Sequence, residues 1–388
     1  MDATPARNWA DSRAEFPTLG RKIFLNTCSL GALSTRVRAA VTRHLDLWEE
    51  YGASAWYRIW LGECAALRSA SERLFNAPAG SVALAPSAGV ALASVASALD
   101  YAKRPKVVTT ALDFPQITYQ WLARPEVEVV ILPSDDGISV PLERYAAAID
   151  ERTALVATSH VFFTSGFIQP VAEIARLAHA KGALALIDGY QAAGQVPVDV
   201  GAADLDVYLT GGLKWLLGGT GIVEMYVRPE LIPQLKPTLA GWFGHERQFD
   251  FDPERFAFAA SAQRFEIGTP SISAVYAAHA GMQIILEHGV EAIRARELEL
   301  VADLAERLRA IGCELKMPAD PANHAGIVMI RAADPGPVVK ALAERNIIVD
   351  YRPGYVRVSP FFYNTEDENA QFVAALQEIN AHADLSKA

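Results

Sequence analysis

Lysine is rarely buried without a partner. Yet Lys214 stands in the run DVYLTGGLKWLLGGTG (206–221), with apolar residues before it, a glycine pair on either side and Trp215 after it. Two chemistries fit such a setting. The side chain can snorkel, packing its stem and leaving its ammonium in water. Alternatively the amine is desolvated, its pKa falls, and it attacks a carbonyl as a Schiff-base nucleophile. Three further features bear on the choice. Asp188 closes the apolar run ALALID. An acid there is either the N-cap of the next turn or a group at the carboxyl edge of a sheet, where open α/β sheets bind ligands. PSAG (86–89) opens a helix, so Ser87 and free backbone N–H groups suit a phosphate, or Ser87 is a plain cap. Phe114, in DFPQ (113–116), offers a flat face at another strand end, unless it is simply core. An amine, a carboxylate, an anion-binding helix end and a flat ring are together what pyridoxal phosphate requires of a protein.

The elements that must position these groups read clearly. KVVTT (106–110), VEVVIL (127–132), ALVATS (154–159), ALALID (183–188), DVYLT (206–210) and IVEMYV (222–227) read as strands, and AGVALASVASAL (88–99) and PVAEIARLAHAKG (170–182) as helices. Strands that are apolar throughout and alternate with helices predict a mostly parallel sheet covered on both faces. After residue 270 the texture changes to a long helical stretch broken at HG (288–289). The strands CELKM, GIVMIR, IIVDYR and YVRVSP follow, with a helix in PGPVVKALAERN and a closing helix. This pattern predicts a small α+β domain. The expected organisation is an arm over 1–30, a large domain over 31–270 and a small C-terminal domain over 271–388. The stretch 228–265 reads as a long ordered excursion beside the site or at a subunit contact.

Bulk composition narrows the partners. A net charge of −10 argues against nucleic acid. No apolar run approaches the ~18 residues of a membrane span, and no signal-peptide pattern opens the chain. The three cysteines, Cys28, Cys64 and Cys313, have no metal-ligand spacing. They predict no metal, no disulfide framework and a reducing cytoplasm.

The segment from SHVFFTSGFIQPVAEIARLAHAKGALALIDGYQAAGQVPVDV through LKWLLGGTG resembles fold-type I pyridoxal-phosphate enzymes of the class V aminotransferase group. FLNTCSLGALS, DFP, LAGWFGH, FEIGTPSI and YVRVSPFFYNTEDE add to it. The resemblance covers nearly the whole chain and is strongest to the kynureninase-like and isopenicillin N epimerase-like branch. It implies a homodimer with shared sites. Lys214 forms the internal aldimine, Asp188 pairs with the pyridinium nitrogen and Phe114 stacks on the ring. Ser87 and Ala88 present N–H groups to the phosphate, with Ser159 close by, and Gln191 lies near the ring oxygen or phosphate. Trp242 and Thr269 reach the neighbouring subunit's cofactor. Arg357 grips the substrate carboxylate, with Asn26 and Ser29 on the substrate side. Tyr57 and Arg58 face either the site or an interface, and Cys28 is either a reactive thiol or a small buried hydrophobe.

The departures set the expected chemistry. Kynureninases carry Tyr where this chain has Leu213 and Thr164, Asn at Thr269 and His at Ala53. Persulfide-forming cysteine desulfurases need a cysteine that is missing between Cys313 and Arg357. The resemblance therefore implies an amino acid processed through an external aldimine and a quinonoid, with scission at Cβ of the carbon–sulfur lyase or β-elimination type. Class V aminotransferase, epimerase and decarboxylase outcomes are the alternatives. A non-catalytic binding protein that keeps the fold is the reading from outside the enzymes.

Overall fold

A computed structural model describes residues 9–385. The chain opens on a short helix, α1 (Trp9–Ala14), and a two-residue strand, β1 (Ile23–Phe24). Residues 1–8 of the expected arm lie outside the described residues. Two helices follow, α2 (Thr35–Tyr51) and α3 (Leu61–Phe75). Ser34 caps α2, its hydroxyl accepting from the Val37 N–H at 3.0 Å.

The expected apolar runs then form one sheet. In chain order these are β2 (Val82–Ala85), helix α4 (Ala88–Ala96), β3 (Lys106–Thr110), α5 (Pro115–Leu122), β4 (Glu128–Leu132), α6 (Leu142–Ala148), β5 (Thr153–Ser159), α7 (Val171–His179), β6 (Leu184–Asp188), β7 (Val207–Gly211) and β8 (Val223–Val227). The strand order is β2-β8-β7-β6-β5-β3-β4. Strands β7, β6, β5, β3 and β4 pair in parallel, and β8 runs antiparallel to both β7 and β2. Every residue of β5, β7 and β8 is buried, as a sheet covered on both faces requires. Two reversals return β2 to the direction of β7. The carboxyl ends of β2, β3, β5, β6 and β7 therefore share one edge, which gathers Ser87, Phe114, Ser159, Asp188 and Lys214 there.

The long helical stretch divides into α8 (Ile272–His288) and α9 (Val290–Ala310), and Gly289 makes the break with φ +74°. α8 packs on α2 and α3, and its Val275 and Met282 share one core with Val108 and Ile187 of the large sheet. After it come β9 (Leu315–Lys316), β10 (Val328–Arg331), α10 (Pro335–Glu344), β11 (Ile347–Ile348), β12 (Asp350–Arg352), β13 (Tyr355–Val358) and α11 (Glu366–Leu385). A second, antiparallel sheet has the order β12-β13-β10-β9. Its core joins Val328, Ile330, Val356 and Val358 to Leu304 of α9, Leu342 of α10 and Phe372 of α11. β1 pairs with β11 in parallel, and Asn26 bridges Ser359, so the N-terminal segment is stitched to this smaller unit. Residues 228–265 hold only short turns of 3₁₀ helix and one isolated bridge, His245 to Phe258.

Candidate active site

Lys214 sits three residues past the end of β7, and the glycine-rich setting has a steric cause. A Cβ on Gly31 would lie 2.4 Å from the Lys214 carbonyl oxygen, and one on Gly218 would lie 2.4 Å from Cα of Ala278. Only glycine lets the N-terminal segment and α8 approach the lysine loop this closely. The Gly31 N–H also donates to the Leu213 carbonyl at 2.9 Å. The loop is thereby clamped from two sides.

The lysine faces a cavity of about 390 Å³, lined by Ser87, Phe114, Ser159, Asp188, Gln191 and Lys214 among others. Its amine lies 5.9 Å from the Phe114 ring centroid and 5.3 Å from that of Tyr190. Desolvation pulls the Lys214 pKa down from its ordinary 10.5 to about 8, against the nearby charge of Asp188. Asp188 moves the opposite way. Burial raises its carboxyl to about 6, although the Tyr190 N–H donates to Oδ1 at 2.8 Å and Lys214 favours its charge. A buried acid and amine pushed toward neutrality mark a candidate reactive site.

The other strand-end groups can be placed one by one. The Ser87 hydroxyl accepts from the Val90 N–H at 3.3 Å. The N–H groups of Ala88 and Gly89 lie in the first turn of α4, where no intrahelical acceptor exists. Phe114 is held extended by Pro115 at the start of α5, half exposed to the cavity. Ser159 is tied by its N–H to Asp113 at 2.7 Å, and Asp113 also takes the Thr110 N–H at 2.8 Å. That carboxylate pins the ends of β3 and β5 together. Gln191 lines the cavity with both ends of its amide engaged. Its Nε2 donates to the Cys28 carbonyl at 3.0 Å, and its Oε1 accepts from the Trp215 indole at 2.8 Å.

Arg357, on β13, is 1 % exposed. Its guanidinium donates to Ser29 Oγ at 2.7 Å, to Asp350 Oδ2 at 2.9 Å and to the Phe163 carbonyl at 3.2 Å. Its buried Nε has no hydrogen-bond partner among the described residues. Phe163 is a wall of the cavity, and the charge of Arg357 helps lower the Lys214 pKa. The small sheet therefore sets a guanidinium behind Phe163, next to the cavity but not among the residues that line it. Cys28 is buried, its thiol 3.9 Å from Asn26 Oδ1, and the Lys214 amine senses it.

Trp242, Thr269, Tyr57 and Arg58 do not line this cavity, and neither do the expected substrate-side residues Arg357, Ser29 and Asn26. Thr269 is exposed. Trp242 is 42 % exposed among Phe243, Phe249 and Phe251, and Tyr57 packs on Phe249. Sequence reasoning missed Gln116, Val161, Phe163 and Tyr190 in the cavity wall, and Asp350 and Arg352 around Arg357. A signal for the last two existed: RPGY (352–355) is a two-residue hairpin turn, which sets Asp350 opposite Arg357.

The residues present fit pyridoxal phosphate. They offer a desolvated amine, a buried carboxylate, a helix start with uncommitted N–H groups and an aromatic face, all on one cavity. Among the described residues no cluster of His, Cys, Asp and Glu suits a metal, and no helix is long and apolar enough to cross a membrane.

Such a fold and cavity define a pyridoxal-phosphate enzyme of fold type I. Residues 63–371 match the family described as "Aminotransferase class-V". The chain is 35% identical over 369 residues to the "Uncharacterized aminotransferase YcbU" of Bacillus subtilis (strain 168), covering 95% of this chain and 96% of that protein. It is 29% identical to the kynureninase of Shouchella clausii (strain KSM-K16), covering 95% and 90%. Among solved structures, the apo cysteine desulfurase of Thermococcus onnurineus NA1 superposes with a TM-score of 0.87 at 23% identity, over 97% of this chain and 99% of that one. The chain belongs to the class V aminotransferase family and is a pyridoxal-phosphate-dependent enzyme.

Proposed function

We propose that this chain acts on an α-amino acid, breaking a bond at Cβ in the manner of a carbon–sulfur lyase, and that it works as a homodimer. The observation that carries the reading is a desolvated amine, Lys214, near a buried guanidinium, Arg357, whose Nε has no hydrogen-bond partner among the described residues. Lys214 would hold the cofactor covalently, Asp188 its ring nitrogen, Phe114 its face, and the start of α4 its phosphate. When bound, the cofactor supplies an electrophilic carbonyl carbon and a ring that takes up electron density.

The protein's part follows from its own groups. Arg357 binds the substrate carboxylate, a planar anion matched to a guanidinium fork. That contact fixes where Cα lies. Lys214, with a pKa near 8, is partly neutral at neutral pH, so its Nζ can take the proton from Cα and return it as an acid. The apolar walls Phe114, Val161, Phe163 and Leu213 exclude water and strengthen these charge effects.

Cβ scission is supported by the relatives named kynureninase and cysteine desulfurase, whereas the 35%-identical relative is named an aminotransferase. A desulfurase takes sulfur from Cβ of cysteine, but Cys313 packs at the edge of the small-sheet core, away from the cavity. The place of Cys313 supports elimination over persulfide formation on a C-terminal thiol. The dimer is supported by the exposed rings of Tyr57, Trp242, Phe249 and Phe251 on one surface. The three cysteines are free thiols, in keeping with a reducing compartment.

The test is product analysis. The holoenzyme is incubated with S-substituted cysteines, kynurenine and common amino acids, with and without a keto acid, and products are identified by mass. Pyruvate and ammonia from an S-substituted cysteine are expected. Turnover only when a keto acid is present would replace the proposal with aminotransferase activity.

A further inference from the structure

If the reading above holds, the groups around Arg357 also decide how many negative charges a substrate carries. Asp350 and Arg357 face each other on β12 and β13. Arg352, Arg357 and Ser29 all donate to one oxygen, Asp350 Oδ2, at 2.8, 2.9 and 2.8 Å. The Tyr351 N–H takes Oδ1 at 2.7 Å. Burial opposes the Asp350 charge, but the Ser29, Tyr351 and Arg352 hydrogen bonds outweigh it and hold the carboxyl at about 2. Asp350 is therefore an anion at any working pH. Arg352 leaves part of its side chain open and lies 5.8 Å from the Phe163 ring, a wall of the cavity. The Lys214 amine senses both guanidiniums. Two cations and one anion leave a single net positive charge in this cluster, which sits behind Phe163.

We propose that Asp350 is a positioning and specificity-determining residue: it sets Arg352 and Arg357 in place and reserves the pair for a single carboxylate. The substrate is then an amino acid with an uncharged side chain. Its α-carboxylate neutralises the site. A second carboxylate would come to rest beside Asp350 with both guanidiniums already engaged, and a desolvated anion without a cation is strongly disfavoured. A site built for an acidic side chain would leave one of the two arginines free of an internal counter-ion.

Succinamate and succinate test this, because they are near-isosteres that differ by one charge and cannot condense with the cofactor. Their dissociation constants are measured by calorimetry on the holoenzyme. The wild type is expected to bind succinamate at least as tightly as succinate. Asp350→Asn raises the site by one positive charge and should move the ratio roughly tenfold toward succinate. Arg352→Gln removes one and should weaken succinamate roughly tenfold. The double variant restores the net charge and should recover succinamate binding to within about threefold of wild type, a rescue that a merely structural role for Asp350 would not give. A ratio unmoved by Asp350→Asn overturns the inference, and so does a double variant no better than Arg352→Gln. A wild type that prefers succinate, or binds neither anion, contradicts it too. The visible band of bound cofactor separates the two levels. Its absence from wild type sinks the functional reading, whereas an intact band with an unmoved ratio sinks this inference alone.

Discussion

At the carboxyl edge of the large sheet, Lys214 and Asp188 are desolvated with little to compensate them. The amine is brought down to about 8 and the acid up to about 6. On the small sheet, Asp350 is also partly buried, yet hydrogen bonds from Ser29, Tyr351 and Arg352 hold its carboxyl at about 2, and Arg357 is tied at three points. The same protein therefore builds two kinds of charged site within reach of one cavity. The first pair is under-solvated, so that without a cofactor both protonation states of Lys214 and of Asp188 are accessible near neutral pH. Groups that must stay charged are given enough hydrogen bonds to make the neutral state inaccessible. One pole is suited to chemistry and the other to grip.

Removing the grip should leave the reactive pole intact. Arg357→Ala is expected to lower kcat/KM by roughly 30- to 5000-fold, from the ~2–5 kcal/mol lost when a buried charge loses its partner. The visible band of bound cofactor should stay almost unchanged. Arg357→Lys should recover only part of the loss, because an ammonium lacks the fork. If Arg357→Ala instead lost the cofactor, the division into two poles would fail.

The reactive pole should show its own titration. Cofactor uptake by the cofactor-free protein needs the neutral amine. Burial disfavours the ammonium of Lys214, so the neutral fraction is reached at lower pH than for an exposed lysine. The uptake rate should rise about tenfold per pH unit below 8 and level off above it. A rate still climbing tenfold per unit between pH 9 and 10 would mean the amine is not desolvated.

A smaller effect tests the clamp on the lysine loop. Gly31→Ala forces a Cβ to 2.4 Å from the Lys214 carbonyl and should cost about 1–3 kcal/mol, seen in thermal and denaturant unfolding. Gly20→Ala, whose Cβ meets nothing within 4 Å, should stay within about 0.5 kcal/mol. Equal effects at the two sites would remove the steric account of the motif around Gly31.

The comparison also explains what the sequence made legible. Asp188 and the turn before Lys214 end uniformly apolar strands, and a parallel sheet brings such ends to one edge whatever the details of packing. Ser87 and Phe114 are readable for the same reason. Arg357's surroundings are not of that kind. Ser29 comes from the N-terminal segment, Phe163 from the loop after β5, and Asp350 from the neighbouring strand, so their meeting depends on how the arm and both sheets pack. Only the Asp350 pairing had a local signature, the Pro353–Gly354 turn that fixes hairpin register. Tyr190 lines the cavity because a Cβ-free Gly211 lets its ring settle there, a contact that no strand or helix period reports.

The most direct test of the central claim is to reduce the holoenzyme with borohydride, digest it and locate the cofactor's mass. The account predicts one modified peptide, carrying the label on Lys214, and none in Lys214→Ala, which should also lose turnover and the visible band. A label on any other lysine, or a Lys214→Ala protein that keeps wild-type turnover, would contradict it.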